Sequence, residues 1–468
     1  MTNHRPTNCI RTVAATCLRC AAAIMIVLLS ACSTDYVNVI PSNSTAVMAF
    51  DPTAMAMQSG MSDNDRASVL KTALNIDDVN DCGIDLNQKL YAFETADGTL
   101  GLVAAVSSNG DLDKWIDQLT EKKICTKPTE KKGFKFAVLH NNFVVGYSSD
   151  ALLIMGPTIG AAQAELQRKM AKWLKADEDK GIRESRLFER LETMNSPVAL
   201  VAQAQALPDK VAALFTLGTP KGTQPTDIYI AATMNSNGHG CLEIEGESFA
   251  FDQTTDKALK DAAATYKSID GGLLDRIPDN AQVVMACGMD GANYLQLLRG
   301  NDALRALLLG ANTAIDIDKM IKGIRGDVVV VVTQGDDNKV PFQMVAQVDG
   351  ADWLADVAYW KTSCPDGSSI TNGHGQNTFL LKSADWNICF AQKGKELLLG
   401  SSEVMVEAMG KKADKPMATA LTDKMKGKRL CVLANVKAIA DSHAEANTAV
   451  SLLKPLFGEI NTVAYSMK

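Results

Sequence analysis

Short apolar runs separated by polar turns recur along the middle of this chain and predict strands. Apolar residues spaced three or four apart, with charges between them, predict helices on either side. A strand is expected from the start at Ile40-Pro41, followed by helical spacing. A hairpin-like pair comes next, with 90–93 and 100–106 flanking Asp97-Gly98. A short helix holding Trp115 then leads into a meander over 134–139, 143–147 and 152–155. Residues 159–173 and 184–191 carry helix-spaced apolar positions, and such helices cover one face of an antiparallel sheet.

The same pattern then starts again. Ile40-Pro41-Ser42-Asn43-Ser44-Thr45-Ala46-Val47-Met48-Ala49 shares six of ten residues with Ile277-Pro278-Asp279-Asn280-Ala281-Gln282-Val283-Val284-Met285-Ala286. Further matches follow in the same order. Val103-Ala104-Ala105-Val106 before Trp115 parallels Val345-Ala346-Gln347-Val348 before Trp353, and Leu153-Ile154-Met155-Gly156 parallels Leu397-Leu398-Leu399-Gly400. Pro197-Val198-Ala199-Leu200-Val201-Ala202 parallels Arg429-Leu430-Cys431-Val432-Leu433-Ala434. Ordered matches at a nearly constant offset point to internal duplication. The expected fold is α+β, with two related domains at 40–276 and 277–468, each a mainly antiparallel sheet covered by helices. The second is shorter, because the first runs past its 228–234 strand into another at 240–247, whereas the second stops soon after 462–466.

The first 31 residues lie outside this pattern. They contain Arg5, Arg11 and Arg19, no acid, and an apolar run from Ala21 to Leu29 too short to span a bilayer. Leu29-Ser30-Ala31-Cys32 has the form of a bacterial lipobox, so cleavage before Cys32 and acylation of that cysteine are expected, with 32–39 as the tether. Two or more acyl chains hold a protein stably at a membrane. The expected location is the cell envelope, at the outer membrane. Ser33-Thr34-Asp35-Tyr36 carries a single acid and leaves periplasmic and surface faces both open.

Composition adds bounds. The 468 residues are 46% hydrophobic and 22% charged, enough for substantial cores. Without the leader, 47 basic residues fall to 44 against 54 acidic ones, a balance that disfavours nucleic acid as partner. Of the 11 cysteines, those at 9, 17 and 20 leave with the leader. Cys287, Cys389 and Cys431 align with Phe50, Val145 and Ala199, and so read as small core hydrophobes. Cys82 with Cys125, and Cys364 with Cys389, are the bridges each copy would permit.

Candidate chemistry is sparse. No nucleophile elbow, phosphate loop, dinucleotide fingerprint or zinc helix motif occurs, so no catalytic, cofactor-binding or metal-ligating set is assigned. Asn-Gly-His-Gly occurs at 237–240 and 372–375, inequivalent points of the repeat, and reads as a tight turn rather than as paired ligands. The start of a calcium loop at Asp78 fails at its twelfth position, Lys89. Asp177-Glu178-Asp179 reads as a solvated charge run, and Met55, Met57 and Met61 as helix-face filling. Trp115 and Trp353, at equivalent places, read as packing residues.

The lipobox, the Ile-Pro-x-Asn starts of both copies, and Gly83-Ile84-Asp85-Leu86 leading into Leu90-Tyr91-Ala92-Phe93 together resemble the DUF4836 family of Bacteroidetes lipoproteins. The second copy departs from this pattern, with Gly323-Ile324-Arg325-Gly326 in place of the Gly-Ile-Asp-Leu segment. The resemblance implies an envelope location and supplies no catalytic residues. The expectation is therefore a non-enzymatic envelope lipoprotein that binds a protein or glycan partner through its duplicated domains. The competing readings are a hydrolase whose carboxylates come from distant segments, and an assembly or structural factor of the envelope.

Overall fold

The computed structural model describes residues 35–467 apart from 59, 61, 176–180, 208–211, 213–218, 220–222, 237–239, 301, 336–340, 384–386 and 441–456. The expected mixed α+β class is what the chain adopts, with helices set against a large, mostly antiparallel array of strands. In chain order the first strands are β1 (Ala46–Phe50), β2 (Leu90–Glu94), β3 (Leu100–Ala105), β4 (Thr129–Lys131), β5 (Phe134–Leu139), β6 (Phe143–Tyr147), β7 (Ala151–Gly156), β8 (Val198–Gln203), β9 (Tyr229–Ser236) and β10 (Cys241–Phe249). They are followed by β11 (Tyr266–Lys267), β12 (Val283–Asp290), β13 (Ile324–Val332), β14 (Phe342–Val348), β15 (Ser369–Asn372), β16 (Thr378–Lys382), β17 (Asn387–Lys393), β18 (Glu396–Gly400), β19 (Leu430–Asn435) and β20 (Thr462–Met467).

Two compact units are formed, cut differently from the sequence repeat. One contains the described residues up to Ser42 together with Asn80–Gln88 and Thr99–Ser185; the other contains Asn43–Val79, Lys89–Gly98 and the chain from Arg186 onward. Within the first, the antiparallel order is β3-β7-β6-β5-β4. Within the second, β14-β18-β17-β16-β15 repeats that order. The second unit also holds β2-β1-β8-β9, matched by β13-β12-β19-β20. The two series meet where β10, antiparallel to β9, runs parallel to β20.

Local chemistry explains these elements. Leu112, Trp115, Ile116 and Leu119 give the helix Asn109–Glu121 one buried face, and Ser108 caps its first turn by accepting from the Asp111 amide. Gly83, at φ 71°, lies so close to that cap that an added Cβ would stand 2.4 Å from both Leu112 N and Ser108 O. Its carbonyl accepts from Ser107 N, and Ile84 bridges Val106. A like joint forms before β14 with different residues, since Gly323 O accepts from Asp349 N and Ile324 pairs with Val348. In β13 the run of five valines splits by face, with Val329 and Val331 fully buried and Val330 and Val332 half-buried.

Neither proposed disulfide forms: all seven cysteines after Cys32 are free thiols. The Cys125 thiol lies 3.4 Å from Ile116 O, toward which it donates, and 3.3 Å from Thr120 Oγ1. Cys389 is enclosed between β16 and β18, whereas Cys364 follows the helix Val357–Ser363. Burial pushes the Cys287 thiol up to about 12, and those of Cys389 and Cys431 up to about 11. They stay protonated at neutral pH and act as core hydrophobes, as their apolar counterparts suggested.

Candidate functional site

The two series of strands that share an order differ most informatively at the ends of β1 and β12. In β12 the position after Cys287 is Gly288, which faces Asp327 across the ladder. The preceding pair, Cys287 and Val328, matches Phe50 and Leu90 in β1 and β2, so the counterparts of Gly288 and Asp327 are Asp51 and Lys89. The backbone confirms the match, because Asp51 N donates to Pro197 O and Gly288 N to Arg429 O.

In the second copy this place is closed by the chain itself. β11 adds to the end of β12, opposite Gly288 and Met289. A Cβ on Gly288 would stand 2.5 Å from Lys267 O and 2.8 Å from Ser268 O, so only glycine lets that segment cross. Ile269 exchanges two backbone bonds with the neighbouring loop, donating to Lys428 O and accepting from Gly427 N. The buried Asp327 carboxylate holds the following turn by accepting from Asp270 N at 2.9 Å and Gly271 N at 2.8 Å. Ile269 and Leu273, each 2% exposed, complete the core.

In the first copy the carboxylate has changed strand. Asp51 caps the helix Pro52–Gln58 by accepting from Ala54 N. A narrow crevice remains, lined by Ala49, Asp51, Lys89, Tyr91, Phe188, Leu191, Glu192, Met194, Ser196 and Ala199. Its enclosed volume is about 10 Å³, room for one water. An apolar floor lies under a rim of Asp51, Lys89 and Glu192. Composition and motif reading missed this pair; aligning the copies one residue beyond Phe50 and Cys287 would have exposed it.

The other sequence candidates separate. Cys32, His239, His443, Asp177-Glu178-Asp179 and Met61 lie outside the described residues. His374 sits in the turn between β15 and β16, as the Asn-Gly reading expected. Its amide donates to Glu403 Oε1 at 2.9 Å, and its ring Nδ1 meets Glu403 Oε2 at 2.6 Å. The Glu403 carboxylate holds the imidazole above its ordinary pKa, and His374 holds Glu403 below its own. His140, at φ 47°, lies in the turn between β5 and β6. Asn80 and Asp81 fall in a 3₁₀ turn that ends at Cys82, and among the described residues no three His, Cys, Asp or Glu side chains gather as a metal site.

Met55 is buried, whereas Met57 is exposed. Trp115 and Trp353 are both buried. Trp353 stacks on Trp360 with ring centroids 6.1 Å apart and donates through Nε1 to Gln392 Oε1. In the other unit Tyr147 donates to Asp113, which also binds Lys135 Nζ at 2.6 Å; burial, then that carboxylate, raises the phenol pKa. A phenol so held donates a hydrogen bond and does not serve as a base.

The fold and these contacts define a mixed α+β protein with a strand order used twice. The DUF4836 family model, described as a domain of unknown function, matches residues 36–444, and the chain belongs to that family. Among curated proteins none matches. Two solved structures of TP0453 are similar: crystal form I at 10% identity, covering 81% of this chain and 96% of that one with a TM-score of 0.23, and crystal form III at 8%, 79%, 93% and 0.23.

Proposed function

We propose that this chain is a non-enzymatic lipoprotein of the cell envelope, anchored at the outer membrane through acyl chains on Cys32, that binds a protein or glycan partner. We read residues 40–276 and 277–468 as copies of one ancestral domain. The observation that carries the binding reading is the unequal treatment of one position in the two halves. The second half seals it with its own chain through Gly288 and Asp327, while the first leaves a polar-rimmed crevice at Asp51 and Lys89. Duplication followed by the opening of one copy is a simple route to a binding surface on a stable scaffold. The family supplies no activity, and Asp51, Lys89 and Glu192 give the crevice a charged rim.

The test is crosslinking in living cells with a tagged, Cys32-intact chain that carries a photoreactive residue in place of Glu192, followed by mass spectrometry and protease shaving. A defined protein or glycan adduct that is absent when the photoreactive residue replaces Lys267 is the expected result. No adduct, together with robust hydrolytic activity of the purified chain, would overturn the reading in favour of a hydrolase.

A further inference from the structure

The hairpin turn at 373–377 is joined to the helix Glu403–Met409 by a single side chain that grips both the main chain and the ring of one residue. Glu403 directs Oε1 at the His374 amide and Oε2 at Nδ1 of the same residue. The approach depends on Gly373, where an added Cβ would stand 1.9 Å from Glu403 Oε1. The imidazole itself is almost wholly exposed, at 98% of its side-chain surface, so protons reach it freely. Other charged or titratable groups around the turn are Glu407 on the same helix, Lys361 on the helix Val357–Ser363, whose Nζ binds Asn372 Oδ1, and the buried thiol of Cys389 on β17.

The equivalent link in the first copy uses different chemistry. There Lys131 Nζ, at the end of β4, donates to Gln167 Oε1 on the helix Gly160–Trp173. That link joins an ammonium to a side-chain amide and contains no carboxylate or imidazole.

We propose that His374 and Glu403 form a proton-operated clasp that pins the β15–β16 turn to its helix in mildly acidic surroundings and releases it as the medium becomes alkaline. The sign follows from linkage. His374 titrates higher when folded, so its contribution is complete below the unfolded value of about 6.5 and is lost as pH rises through the folded value. Glu403 titrates lower when folded, so its contribution is present above about 4.3 and is lost as pH falls through its folded value. The clasp is therefore tightest between those limits. It is confined to the second copy and does not depend on what the crevice binds.

Nuclear magnetic resonance of the mature chain reads the clasp directly. The His374 ring should titrate above 6.5, and Glu403→Gln should return it to that value. The His374 amide should exchange with solvent faster at pH 8 than at pH 6 after correction for intrinsic rates, a difference that Glu403→Gln abolishes. Wild-type His374 titrating at the ordinary value, or amide protection with the same pH dependence in both proteins, would overturn the proposal. Protection of amides in β4 supplies the internal control and should not change over this range.

Discussion

At the scale of single residues, one carboxylate does most to distinguish the two copies. Asp327 is 1% exposed and accepts from two consecutive main-chain amides in the sealing segment, Asp270 N and Gly271 N. Asp327→Ala should lower stability by about 2–4 kcal/mol, the cost of stranding two partly buried donors. Urea unfolding should show it as a lower midpoint with little change in slope, and an unchanged midpoint would mean that the segment is held by Ile269 and Leu273 alone. Asp327 was not legible beforehand. It precedes a run of five valines, and nothing in the local pattern says that a main-chain turn from some 56 residues earlier supplies its partners.

At the scale of elements, the helix Asn109–Glu121 and the Gly83 joint show how far pattern reading reaches. A helix around Trp115 and the meander of β5, β6 and β7 follow from the residues themselves. The reason for Gly83 does not, because it lies in the close approach of a helix nearly 30 residues away. Gly83→Ala combines a left-handed backbone with a clash against main chain, and should destabilise by at least about 2 kcal/mol. Gly110→Ala, in the same helix with open space around its Cα, should be neutral or slightly stabilising. Thermal unfolding of the two variants side by side separates the explanations, and similar losses in both would remove the special role of position 83.

For the whole molecule, tethering and architecture make independent predictions. No helix among the described residues is long and apolar enough to cross a membrane; the proposed attachment is through Cys32. Mass spectrometry of the mature protein should find an N-terminal peptide that begins at an acylated Cys32, and Cys32→Ser should lack that species. A mature chain that begins elsewhere, or an unmodified cysteine, would replace the anchor with simple export. Family membership adds no chemistry to this picture, and the unequal ends of β1 and β12 are what motivate the proposed binding role.

Periodicity, turn residues and self-similarity were sufficient, without coordinates, for the α+β class, most strand positions and the core placement of Cys287, Cys389 and Cys431, because each depends on local geometry or on comparing one copy with the other. Tertiary structure alone decided that the cysteines remain unpaired, that β10 joins the two series in parallel with β20, and that Gly288 and Asp327 seal what Asp51 and Lys89 leave narrow. The physical reason is common to all three. Each turns on which distant segment arrives beside a given side chain, and short-range pattern carries information about the face a residue presents but not about the neighbour that meets it.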